Sequence, residues 1–144
     1  MYHRESRALN FDTGVVTYHM NDTVDVVFNP TDTAFIERLF NTFDALDQKQ
    51  EAYKAEIETA EKREIFAIAK KRDAEMRQMI DETLGAPVCD ALFSGMNVYA
   101  LAGGLPVWAN LLLAIMDEVD SVFAREQKMT NARVRKYSEK YKRQ

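Results

Sequence analysis

The chain has 144 residues, of which 47% are hydrophobic, 10% aromatic and 29% charged, with a formal net charge of −4. That is long enough for one domain with a buried core, and too apolar for a wholly disordered chain. The single cysteine, Cys89, excludes an intrachain disulfide and fits a reducing compartment, and the opening MYHRESRALNFDTG lacks the apolar run of a secretory leader.

Residues 1–10 read as a loose lead-in. The runs GVVTYHM and TVDVVF flank Asn21-Asp22 and are rich in β-branched and aromatic residues, which predicts a β-hairpin within 8–28. Val24, Val26 and Phe28 alternate with Asp25 and Val27, so one face should be buried. A two-stranded hairpin is marginal alone, so it must pack on helices or pair its edge with another copy.

Asn29-Pro30-Thr31-Asp32 is a break, with Thr31 or Asp32 placed to cap a helix. Phe35, Ile36, Leu39, Phe40, Phe43 and Leu46 then recur at helical spacing. No proline or glycine follows until Gly85, so 31–84 reads as one long helical segment: a single helix, or two nearly collinear ones. In its middle, from Gln48 to Glu64, nine of seventeen residues are charged, which predicts a projecting, solvated stretch with Glu58 and Lys62 as a surface pair. Apolar residues return at Ile65, Phe66, Ile68, Met76, Met79, Ile80 and Leu84, before the stop at Gly85-Ala86-Pro87.

Residues 87–125 form an apolar region with no charge from Ala91 to Met116. Short helices are expected at Pro87–Leu92 and Met96–Ala102, a tight turn at Gly103-Gly104, and a longer helix from Leu105 to about Arg125. Trp108, Leu112, Ile115, Val119 and Val122 share one side of that last helix. The glycine pair lacks the Lys-Ser/Thr and the preceding strand of a phosphate-binding P-loop. The glycines and Pro106 also cut the uncharged run into pieces shorter than the about 20 residues a membrane span needs, so no membrane segment is expected.

The basic tail, 126–144, completes a strong asymmetry. From Arg125 to Gln144 eight basic residues face two acidic ones, a balance of +6 that leaves −10 for the rest. Arg133, Arg135, Lys136, Lys140, Lys142 and Arg143 are candidate contacts for an anionic partner or a neighbouring acidic surface. A nucleic-acid-binding accessory protein is the alternative function, with Tyr137 and Tyr141 able to stack on bases; the acidic body opposes it.

Catalytic chemistry is poorly served. His3 and His19 are the only histidines, and Cys89 lies in an apolar stretch that predicts a buried, inert thiol. Asp44 with Asp47, and Asp117 with Glu118 and Asp120, read as solvated helix faces. No ligand spacing for a metal is present, so the expectation is a non-enzymatic protein with no cofactor. Methionines and aromatics favour interaction surfaces, which makes Met96, Tyr99, Trp108, Leu112 and Met116 a candidate partner-binding set. The competing reading is core, and it is preferred for Trp108.

Three stretches in order, VVFNPTDTAFIERLF, FDALDQKQE and CDALFSGMNVYALAGGLPVWANLLLAIMDEV, resemble the small tail assembly chaperones of phages and prophages of Gram-positive bacteria. The resemblance spans about residues 8–143 and rests on structural motifs. It implies a non-enzymatic chaperone that binds the tape measure protein, the tail-tube subunits or both during tail morphogenesis. It also implies action in the host cytoplasm, absence from the mature virion, and self-association along a repetitive client. The expected architecture is a single domain over 1–144: mainly α with an N-terminal β-hairpin, a long charged helix, an apolar helical pair and a basic helical tail.

Overall fold

A computed structural model describes residues 4–129 together with Val134, Lys136, Glu139 and Lys140. Strands β1 (Val16–Met20) and β2 (Val24–Phe28) form the expected antiparallel hairpin, with Tyr18 opposite Val26 and His19 opposite Asp25. Asn21 and Asp22 both take positive φ in the turn, a conformation Asn and Asp tolerate better than most residues. Val26 and Phe28 are buried, Val24 is partly buried, and Asp25 and Val27 face outward, as the alternation predicts. The hairpin is fixed to the helices by an aromatic stack: Tyr18, Phe28 and Phe35 lie with ring centroids 4.6 and 4.3 Å apart.

Helix α1 (Thr33–Thr59) starts at Asp32, whose carboxylate accepts the Ala34 N–H at 3.0 Å. Phe35, Leu39 and Leu46 are buried, while Phe40, from the same predicted stripe, is about half exposed. Helix α2 (Lys62–Leu84) ends at Gly85 in the left-handed conformation, φ 69° and ψ 21°, as the Gly-Ala-Pro stop predicts.

The expectation of one long or collinear helix is corrected. Ala60 and Glu61 are both extended, with ψ of 150° and 152°, and they turn the chain back on itself. The two helices then pair antiparallel. Thr42 meets Thr83 at 2.6 Å, Lys49 meets Glu75 at 3.6 Å, and Glu56 meets Arg72 at 2.9 Å. Folding back buries Leu39 and Leu46 together with Met76 and Ile80 in one core, which a straight rod would leave to solvent. Glu58 and Lys62 therefore sit on different helices rather than four apart on one.

Past α3 (Val88–Phe93), the expected Met96–Ala102 helix is also absent. Ser94 takes positive φ, the chain runs irregularly to Ala100, and Leu101–Ala102 (β3) pairs with Leu105–Pro106 (β4) around Gly103-Gly104. Both glycines have positive φ, 63° and 84°, so the turn closes a miniature hairpin instead of joining two helices. Helix α4 (Val107–Lys128) follows, burying Trp108, Leu111, Leu112, Ile115 and Val119.

Candidate functional site

The uncharged segment loses its helix because α2 takes over its backbone groups. Asp73 accepts the Val98 N–H at 2.8 Å, and Asn97 donates to the Ala69 carbonyl at 3.3 Å. The Arg77 guanidinium donates to Asp73 and Asp90, each at 2.9 Å, and to the carbonyls of Ser94 and Met96. Arg77 is only 13% exposed, so this fork is partly withdrawn from water and its hydrogen bonds are charge-assisted. Trp108 and Val107 complete the seam by donating backbone N–H groups to Val98 and Ala100.

Trp108 lies in the core. Its ring packs on Phe43 at 5.3 Å, and its indole N–H donates to Gln50 Oε1 at 2.7 Å, tying α4 to α1. Leu112 is fully buried. Tyr99 is partly buried and stacks on Tyr53, ring centroids 4.5 Å apart. Burial pushes the Tyr99 phenol up to about 12, and its hydroxyl finds no hydrogen-bond partner among the described residues. Met116 is partly buried against the core, and Met96 is half exposed. Of the five candidate partner-binding residues, Trp108 and Leu112 thus offer nothing outward, and Met96 offers most.

In the predicted solvated middle of 48–64, Gln50 and Tyr53 pack inward on Trp108 and Tyr99. Its Glu56 joins Arg72, which also bonds Glu75 at 3.0 Å. Arg72 hydrogen bonding holds the Glu75 carboxyl below its ordinary range. Cys89 is buried, and desolvation, followed by the nearby Asp81 carboxylate, pushes its thiol well up. His19 pairs with Asp25 across the hairpin at 2.6 Å, on an exposed face.

Among the basic tail candidates, Lys136 and Lys140 are helical and exposed. Arg133, Arg135, Lys142 and Arg143 lie outside the described residues, as do His3, Tyr137 and Tyr141.

Asn29, in the sequence no more than the residue before a proline, organises the N-terminal arm. Its amide donates to the Thr13 carbonyl at 2.8 Å, while its oxygen accepts the backbone N–H and the hydroxyl of Thr31, each at 2.8 Å. Gly14 has φ 71°, and a Cβ there would stand 2.7 Å from the Asn29 amide nitrogen. Beyond this clamp Leu9 and Phe11 are 91% and 82% exposed.

Two recesses flank the hairpin along α4. At its open end, a cleft of about 780 Å³ lies between residues 12–16 and Glu118, Val122, Arg125, Glu126 and Met129. At its turn end, a smaller apolar recess of about 290 Å³ is lined by Met20, Leu92, Phe93, Val107, Leu111 and Ala114, with Asn21 and Asn110 at its polar side. Among the described residues no cluster of three or more His, Cys, Asp or Glu is arranged to hold a metal, and no helix is long and apolar enough to cross a membrane. No protein-family model, curated protein or solved structure matches the chain.

Proposed function

We propose that the chain is a protein-binding chaperone of phage tail assembly, which shields a long helical client of the tape measure type and hands it to polymerising tail-tube subunits. The reading rests on the resemblance of its sequence to such chaperones and on one observation. The helical hairpin carries Phe66, 82% exposed on α2, within a surface that is otherwise charged. Phe40 on α1 and Met96 on the stapled segment add half-exposed apolar side chains. Rigid helices bearing separated apolar anchors suit an amphipathic client helix, and the surrounding Lys62, Arg63, Lys70 and Lys71 keep the surface hydrated between clients.

Co-expression pull-down with the tape measure protein encoded beside the gene tests this. The full chain is expected to capture that protein. Phe66→Ser, melting as the parent does, is expected to weaken capture by about tenfold or more, the scale of one buried aromatic. No capture by the parent chain would overturn the proposal.

A further inference from the structure

We infer that the outer face of α2, from Arg63 to Ala74, docks an acidic amphipathic helix, whose apolar side chains lie over Phe66, Ala67 and Ala74 while its carboxylates meet Arg63, Lys70 and Lys71. The inference rests on the reading of α2 as a client surface and adds the chemistry that the client must carry.

The cations of α2 fall into two sets. Towards α1 and the stapled segment, Arg72 pairs with Glu56 and Glu75, and Arg77 pairs with Asp73 and Asp90. On the outer side Lys62, Arg63, Lys70 and Lys71 are exposed, and none of them makes an ion pair among the described residues. The inner cations are spent on the fold. The outer ones keep their attraction for an incoming anion.

Helical geometry gathers the outer set around the exposed aromatic. At about 100° per residue, Phe66, Lys70, Arg63, Ala74, Ala67 and Lys71 follow one another across an arc of roughly 140°. No acidic residue between 63 and 74 lies within it. Glu64 stands just beyond the Lys71 edge, and Asp73, just beyond Phe66, is bound to Arg77 and the Val98 N–H. Ala67 and Ala74 are exposed and keep the middle of the arc low, so a partner helix can approach to the near end of the usual range of about 8–10 Å between axes. Phe66, 82% exposed, supplies the one large side chain to bury.

The spacing sets what fits. The arc is roughly 16 Å long, about three helical turns, and Arg63 and Lys70 stand seven residues apart. Carboxylates one heptad apart, flanking an apolar seam, match both the cations and the low centre. A nucleic acid fits less well, because the chain carries a net charge of −4 and the centre of the arc is apolar. An aromatic buries about 150–250 Å², so a contact built on Phe66 and two alanines falls well below the about 1,200 Å² of a stable interface. Single contacts are therefore weak and reversible.

Fluorescence anisotropy with two labelled helical peptides tests this. Both are three heptads long with the same leucine seam, and the flanking positions are glutamate in one and lysine in the other. The parent is expected to bind the glutamate peptide about tenfold more tightly than the lysine peptide, and to lose that margin as salt is raised. Arg63→Glu with Lys70→Glu is expected to invert the preference. Both positions are exposed and unpaired, so this variant should melt as the parent does; Arg63→Gln with Lys70→Gln, expected to abolish the preference, replaces it if it does not. Phe66→Ser should weaken both peptides alike, which separates the anchor from the charge. Equal affinity of the parent for the two peptides, no binding of either, or a preference that the charge variants leave unchanged would each overturn the inference. A single-stranded oligonucleotide that binds more tightly than the glutamate peptide, and is released by the same variant, would overturn it in favour of nucleic acid. Capture of the tape measure protein by a parent with no preference between the peptides would remove this inference alone and leave the chaperone reading standing.

Discussion

The segment around Trp108 and the arm around Leu9 both carry large apolar side chains, yet their fates are opposite. From Ala91 to Met116 the chain has no charge of its own, but Asp73 and Arg77 satisfy its backbone, and Gln50 satisfies the indole of Trp108. Leu9 and Phe11 lie in a lead-in rich in charge and are left bare. Apolar content alone does not decide burial. A segment is folded away where neighbouring elements can take its polar backbone groups as well as its side chains.

The comparison breaks most readily at Trp108. Trp108→Ala removes the ring from Phe43 and orphans Gln50, and it is expected to cost about 3–5 kcal/mol in chemical denaturation. A loss under about 1 kcal/mol would mean that the tryptophan is not the anchor of the seam. Arg77→Met should come next. It leaves Asp73 and two carbonyls without their charged donor, and about 2–3 kcal/mol of lost stability is expected, together with faster amide exchange at residues 94–99.

The seam between α1 and α2 gives a smaller, pH-dependent effect. The folded Glu75 carboxyl is held below its ordinary range, first by its hydrogen bond from Arg72. A depressed carboxyl contributes its stability in full above the unfolded-state value, and that contribution is lost as pH falls through the folded one. Glu75→Gln should therefore cost under about 1 kcal/mol near neutral pH, since the pair is partly solvated. At strongly acidic pH its melting curve should converge with the parent's. The smallest effect on stability belongs to the arm: Leu9→Ser with Phe11→Ser should change stability by no more than about 0.5 kcal/mol, because neither side chain packs on the body. A larger loss would place the arm with the core instead of in solvent.

What could be read from sequence follows the same divide. The hairpin, the Asp32 cap, the Gly85 stop and the burial of Trp108 are written in local chemistry: alternation, a carboxylate before a stripe, a glycine before a proline, helical spacing. The turn at Ala60-Glu61 is not, because neither residue type demands an extended backbone; it is imposed by the pairing of α1 with α2. Likewise Met96–Ala102 carries no helix breaker except the glycines at either side, and its irregular path comes from the Asp73 and Arg77 side chains of α2, which take up the Val98 N–H and the Met96 carbonyl. The role of Asn29 was hidden for the same reason, its partner Thr13 lying on the far side of the hairpin.

Hydrogen exchange of the parent chain bears most directly on the division between the folded-away segment and the bare arm. The amides of Val98, Val107 and Trp108 are expected to be protected, and those of residues 7–11 to exchange fast. Seam amides that exchange as fast as the arm's would contradict this account.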